Sequence, residues 1–357
     1  MSRRPTIQDV AKKAGMSLST VSLVINDCGR VSEETRKKVL RIVAELGYHA
    51  TRTARGLASQ TSGNIGFILT ENHFSQAEPF YTRIFLGTEF EARNHNFYVL
   101  LTTVKERFSE RETIPRFVLE RNVDGIIVAG KINEKLIQYI ESAGLPAVLV
   151  DFQLKRKRMS AILIDNHTGG VLATNHLLEL GHRKIAFIGG DLGHPSIGER
   201  FRAYKETLSE HGIPFDASMA SVREKDTRMD DGYRAAEKLL SRTPRVSAVF
   251  AANDAMAIGC LRYAKQKGLR IPEDLAIVGF DDIELASHVE PRLTTIRVPK
   301  EEMGKMAVQH LVEIIQSKTK AIVTAHVPVD LVVRESTGGH AGKYAPLTPD
   351  ADEGFAA

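Results

Sequence analysis

Cysteine is scarce: the 357-residue chain has two, Cys28 and Cys260, far apart and without metal-ligand spacing. That argues against both a disulfide framework and a zinc site. The first residues, "MSRRPTIQDVAKKAG", lack the apolar core of a secretory signal. No window reaches the ~18 uninterrupted apolar residues of a membrane-spanning helix. These absences point to a soluble chain in a reducing, cytoplasmic setting. With 43% apolar and 26% charged residues the composition is that of a globular protein, long enough for two or three domains.

Charge is unevenly placed. Residues 1–60 carry 11 Lys/Arg against 5 Asp/Glu, and the rest of the chain 37 against 39. A basic head on a nearly neutral body is expected where one end meets a polyanion, although a solvated basic face gives the same count.

The head has three short helical patterns. Thr6 can cap the first, with Asp9 as capping-box partner, and Ile7, Val10, Ala11 and Ala14 form one apolar stripe. Gly15 ends it. Ser17 caps the second, whose inward face is Val21, Val24 and Ile25. Ser32 caps the third, with Val39, Ile42, Val43 and Leu46 inward before Gly47. Three helices on one small core, with a tight glycine turn between the first two, form a helix-turn-helix pattern.

In that motif the second helix lies in the major groove. Its outward residues here are Leu18, Ser19, Ser22, Leu23 and Asn26. An outward leucine gains nothing in water but can contact a thymine methyl in the groove. The competing reading packs Leu23 back on the head's own core or on the following linker. Thr20, Ser22, Asn26 and Arg30 suit phosphate contacts, which set register; Thr6 and Ser17 complete the candidate DNA-facing set. Residues 51–58 can form about two helical turns, marginal alone in water, with Gly56 costing about 1 kcal/mol more against the helix than alanine.

The stretches "TIQDVAKKAGMSLSTVS", "RVSEETRKKVLRIVAELGY" and "ARGLAS" closely resemble the DNA-binding head and hinge of the LacI/GalR (lac-repressor) family of bacterial transcription regulators. The resemblance implies a hinge helix that forms on operator DNA, lies in the minor groove and wedges a leucine into the central step. That role maps onto Leu57, with Ala54 beside it. Two departures stand out. The family usually has arginine where this chain has Leu23, and a Pro-Asn hinge opening where it has Ala50 and Thr51. Leucine at position 23 favours an A·T pair there.

From residue 62 onward short apolar runs alternate with amphipathic segments. "NIGFILT", "FYVLLTT", "DGIIVAG" and "PAVLVD" read as buried parallel strands. "AILID", "KIAFIGG", "MASVR", "AVFAAN" and "LAIVGFDD" form a second series, and "LTTIRV" and "VPVDLVVR" flank one more helix over 300–317. The expected fold class is therefore an all-α helix-turn-helix head plus α/β, with two doubly wound parallel-sheet lobes. Ligands of such sheets bind at strand carboxyl ends.

The resemblance extends over about residues 1–336, through "ILIDNHTGGVLATNHLLELGHRKIAFIGG", "AVFAANDAMAIG" and "PRLTTIRVP". It implies lobes like those of periplasmic sugar-binding proteins, with three crossings between them. The expected domains are 1–48 (head), 49–62 (hinge and linker) and 63–336 (effector and dimerisation). Within the last, lobe 1 takes 63–160 and 293–325, and lobe 2 takes 161–292 and 326–336. Residues 337–357 are expected as a disordered tail.

Asp151, Asn253 and Asp281 fall at predicted strand carboxyl ends, and Arg200 begins a helix. Carboxylates, an amide and a guanidinium in a cleft suit the vicinal hydroxyls of a polyol. The resemblance assigns the same positions to a ligand site and adds Phe80 and Tyr81 as an aromatic pair, for which core packing is the alternative. Asp282 is expected to be structural, capping the stretch after "GFDD".

An enzyme on the same fold is the remote rival. "GGDLGHPSIG" (189–198) fits neither GxGxxG nor Walker spacing, no catalytic constellation stands out, and no cofactor or metal is expected. The expected protein is a homodimeric repressor that binds a pseudo-palindromic double-stranded operator and answers to a small sugar-like effector. A phosphorylated carrier protein acting as corepressor is the alternative.

Overall fold

The computed structural model describes residues 5–25, 31–48, 61–71 and 80–338, apart from 106, 110–113, 155, 157–158, 225, 244–245 and 318–320. Asn26, Arg30, Ala54 and Leu57 lie outside the described residues.

In the head, α1 (Ile7–Ala14), α2 (Leu18–Ile25) and α3 (Glu33–Leu46) share one core. Val10, Val21 and Val39 are fully buried at its centre, each burial worth about 1.5–3 kcal/mol. The Thr6–Asp9 capping box forms, and Gly15 ends α1 at φ 64°, which suits a residue without Cβ. Ser17 caps α2 by accepting the Thr20 amide at 3.1 Å. Tyr48, just beyond α3, closes the same core.

The body opens with β1 (Asn64–Thr70), α4 (Phe80–Asn94), β2 (Tyr98–Val104), α5 (Arg116–Leu119), β3 (Gly125–Ala129), α6 (Glu134–Ser142), β4 (Ala147–Val150) and β5 (Ser160–Ile164). Next come α7 (Asn166–Glu179), β6 (Ile185–Ile188), α8 (Pro195–Glu210), β7 (Ala220–Ser221), α9 (Met229–Arg242), β8 (Ala248–Ala251), α10 (Asp254–Gln266) and β9 (Ala276–Val278). The chain then runs through β10 (Thr295–Arg297), α11 (Lys300–Ser317), β11 (Thr324–Val327) and β12 (Asp330–Val332).

The first sheet has the order β11-β5-β4-β3-β1-β2 and the second β7-β6-β8-β9, with every pairing parallel. Period-2 alternation sends Ile127 and Ala129 to one face of β3 and Ile126 and Val128 to the other. Both faces are apolar, so helices cover both. The α4 and α11 helices approach closely enough that a Cβ on Gly304 would lie 2.1 Å from the Ile84 carbonyl oxygen.

Several expectations are corrected. β2 is an edge strand with Tyr98 and Leu101 exposed, because it has one neighbour instead of two. "AILID" belongs to the first sheet: β5 pairs with β4 and β11, so the first lobe runs past 160 to Ile164. The 293–298 stretch lies along the second lobe, where Gly279 and Asp281 donate their amides to Thr294 and Ile296; only the following α11 packs on the first lobe. "VPVDLVVR" is divided between β11, in the first sheet, and β12, which pairs antiparallel with β10. Finally, Thr337 is no tail residue. It is buried and hydrogen-bonded to His176 at 2.9 Å and Thr294 at 2.8 Å.

Candidate ligand cleft and nucleic-acid interface

Asp151 follows β4 in the first lobe and is buried at a positive φ of 58°. It accepts hydrogen bonds from both lobes: the Tyr81 hydroxyl at 2.9 Å and the Ser196 hydroxyl at 3.0 Å. Tyr81 sits at the start of α4, and Ser196 in the first turn of α8, just after Pro195. Burial, with the Asp151 charge beside it, pushes the Tyr81 phenol well above its ordinary range, so it donates.

Arg200 does not begin its helix, as the sequence suggested, but lies one α8 turn beyond Ser196, where it is buried with its whole fork engaged. Nε donates to Asn166 Oδ1 at 2.8 Å, Nη1 to the Ala252 carbonyl at 2.6 Å, and Nη2 to Asp281 Oδ1 at 3.3 Å. Its guanidinium lies 3.5 Å from the Phe280 ring centre, a desolvated cation–π contact. Asp281 is pushed up to about 6 by burial, against the pull of Arg200 and Lys300. Deeper still, Asp254 is held well above the carboxylate range by burial; it accepts from Thr295 Oγ1 at 2.5 Å and the Ile283 amide at 2.9 Å.

The cleft thus brings together Tyr81, Asp151, Arg200 and Asp281. Phe80 is half-buried, edge-on to Tyr81 at 5.0 Å, with Lys300 Nζ 5.9 Å from its ring centre. Asn253 stands at the same rim, but its amide is engaged locally. Its Oδ1 caps α10 through the Met256 amide at 2.9 Å, and its Nδ2 donates to the Thr227 carbonyl at 3.1 Å. Asp282 does not cap the turn after "GFDD"; it bridges Arg297 and Arg334 instead.

On the head, Leu18 and Leu23 are 46% and 41% exposed and stand outside the core cluster. Leu23 therefore does not pack on the head core; the linker, the other partner in that alternative, lies outside the described residues. Ser17, Ser19 and Thr20 form a hydroxyl cluster at the start of α2, with Ser17 Oγ 2.7 Å from Ser19 Oγ and 2.8 Å from Thr20 Oγ1. Ser22 is half-buried between the leucines. Thr6 uses its hydroxyl on Asp9, at 2.7 Å.

Residues 6–51 match the family described as bacterial regulatory proteins, lacI family, and residues 174–337 match a periplasmic binding protein-like domain. The HTH-type transcriptional regulator CelR of Thermobifida fusca is 37% identical, over 94% of this chain and 98% of its own length. The chain belongs to the LacI family. Among solved structures, a CelR–cellobiose complex is 35% identical with a TM-score of 0.71, over 93% of this chain and 100% of that one. A lac repressor dimer bound to operator and the anti-inducer ONPF is 29% identical with a TM-score of 0.77, over 94% and 99%. This LacI-family chain is accordingly a DNA-binding transcriptional regulator, not an enzyme. Among the described residues, no helix is long and apolar enough to cross a membrane, and no cluster of metal-ligating side chains occurs.

Sequence reasoning missed Ser196, Asn166, His194 and Lys300. Ser196 had a signal, since Pro195 marks a helix start in the segment that follows β6. His194, the residue before α8, is held neutral by burial, and its Nδ1 is buried without a hydrogen-bond partner. Lys300 Nζ donates to three backbone carbonyls, those of Asp281, Asp282 and Val298, which no spacing in the sequence announces.

Proposed function

We propose that this LacI-family regulator is a cytoplasmic homodimeric repressor that binds a pseudo-palindromic operator and is controlled by a small neutral polyol, a sugar or derivative, between its lobes. The observation that carries the ligand reading is Asp151, which accepts from Tyr81 of its own lobe and Ser196 of the other. A polyol hydroxyl can replace either donor, so ligand binding and lobe angle share the same hydrogen bonds. His194 Nδ1 adds a buried ring nitrogen with unused hydrogen-bonding capacity. Tyr81, Asp151, Arg200 and Asp281 are the proposed contact set, with Phe80 as an apolar wall and Asn253 as rim support. That a similar protein is a CelR–cellobiose complex supports a saccharide.

On DNA, the exposed Leu18 and Leu23 read base edges, while Ser17, Ser19, Thr20 and Ser22 supply backbone contacts. Asn26 and Arg30 add phosphate contacts, Thr6 braces the helix through α1, and Ala54 and Leu57 supply the minor-groove wedge. Dimerisation is supported by exposed apolar residues on the first lobe, Tyr98 and Leu101 on edge strand β2 and Phe90 on α4, and by the dimeric lac repressor on its operator. Two-fold protein symmetry then mirrors the operator. A ligand acts through its different affinity for the two lobe arrangements.

Calorimetric titration of the full chain with cellobiose and a panel of neutral mono- and disaccharides tests the ligand reading. Saturable 1:1 binding, lost in Asp281→Ala, supports it. Binding of anionic sugar phosphates alone contradicts it.

A further inference from the structure

Asp281 and Asp282 are consecutive non-glycine residues in left-handed backbone, at φ 107° and 50°. Such conformations persist where the surroundings over-determine them. Here the determinants come from outside the loop. Asp282 Oδ1 accepts Arg334 Nη2 at 2.6 Å, and Oδ2 accepts Arg297 Nε at 2.8 Å. The Asp282 amide donates to Thr295 Oγ1 at 3.3 Å. Lys300 Nζ donates to the carbonyls of both aspartates.

Arg334 is itself fixed. Its Nη1 donates to the Leu293 carbonyl at 2.8 Å and its amide to Thr294 Oγ1 at 2.8 Å. Its pair with Asp282 is largely shielded from solvent, with side chains 15% and 12% exposed. With Nη1 held on the Leu293 carbonyl and Nη2 on the carboxylate, the planar guanidinium fixes direction as well as distance. Arg297 lies on β10, Lys300 opens α11, and Arg334 follows β12. All three cations sit on late segments that run past both lobes, and all converge on one dipeptide.

The geometry points to Arg334 as a positioning residue of the ligand cleft: through Asp282 it holds the 281–282 backbone so that the Asp281 carboxylate faces Arg200. The inference rests on the cleft being the effector site, and it goes further by making the Asp281 geometry depend on the crossing segments. A residue that merely staples the last strand leaves the Asp281 environment unchanged when it is replaced. A positioning residue does not.

The test follows the Asp281 carboxyl by carbon NMR of the full chain with labelled aspartate, assigned by its loss in Asp281→Asn. In the unchanged chain burial pushes the Asp281 carboxyl up to about 6. In Arg334→Met the loop relaxes toward solvent, and the titration moves by a unit or more toward the ordinary aspartate range. Arg334→Lys, which keeps the charge but not the fork, restores it in part. An unmoved titration in Arg334→Met overturns the proposal. Should that variant not fold, Asp282→Asn is read in the same way. In parallel, cellobiose is titrated into both proteins. Where the unchanged chain binds, Arg334→Met binds at least tenfold more weakly, and equal affinity overturns the proposal. Absence of cellobiose binding by the unchanged chain counts against cellobiose as the ligand, while the carboxyl titration still decides the role of Arg334.

Discussion

Ser196 of the second lobe donates its hydroxyl to Asp151 of the first at 3.0 Å. The Tyr81 hydroxyl reaches the other oxygen of the same carboxylate at 2.9 Å. Asp151 is therefore a junction between the lobes. Ser196→Ala removes the interlobe donor while leaving Tyr81 in place. The expected outcome is a changed effector dependence of operator release with operator affinity altered less than threefold, read by fluorescence anisotropy of labelled duplex with and without the sugar.

Asp281 gives the cleft a pH dependence whose sign is fixed. Burial raises its folded pKa to about 6, above the ordinary aspartate value near 3.9. The stability it contributes is fully present below about pH 3.9 and is lost as pH rises through about 6; the span corresponds to about 3 kcal/mol. Asp281→Asn mimics the protonated form and carries no such loss. Urea unfolding at pH 5 and pH 7.5 should show the variant gaining on the unchanged chain at the higher pH. Parallel pH profiles would contradict the buried placement.

Leu23 is exposed and packs on nothing in the head core. Leu23→Ala should leave the head's unfolding midpoint within about 0.5 kcal/mol of its original stability. It should weaken operator binding by about 1–3 kcal/mol, the usual cost of one lost base contact. Leu23→Arg should shift preference at that position toward G·C. Thermal melts and binding assays on duplexes that differ at one pair separate the two effects.

Gly304 marks a close approach of α4 and α11. A methyl group there meets the Ile84 carbonyl oxygen at 2.1 Å, so backbone must move. Gly304→Ala should lower stability by about 1–3 kcal/mol or more, seen as a fall of several degrees in the melting midpoint, with the isolated head unaffected.

Most of this architecture was legible because its signals are local. Capping residues Thr6, Ser17 and Ser32 stand directly before apolar stripes, and strands such as 64–70 are unbroken apolar runs. What failed was long-range. β5 reads like the opening of a second series, but its partners β4 and β11 are set by pairing with residues far away in sequence. The split of 327–334 into two strands in different sheets depends on that same crossing. In the cleft, Asp151 and Asp281 were legible from strand ends, and Arg200 was legible only as a helix residue, since α8 starts five residues before it. Pro195 hinted at Ser196 and nothing hinted at Lys300; the roles of both come from backbone and carboxylates that only the fold brings near. Asn253 was legible as a rim residue, but the demand of the α10 N-terminus for a cap takes its side-chain oxygen.

The central claim is that this LacI-family chain reads a symmetric operator through α2 and its hinge. The most direct measurement is selection of bound duplexes from a random pool by the full-length protein at fixed salt, since phosphate contacts make affinity salt-dependent. Leu18→Ala and Leu57→Ala proteins run alongside. The account predicts an enriched palindrome with a deformable central step and A·T pairs opposite Leu18 and Leu23, degraded at those pairs in Leu18→Ala and weakened as a whole in Leu57→Ala. A motif without two-fold symmetry, or one identical in all three proteins, would contradict it.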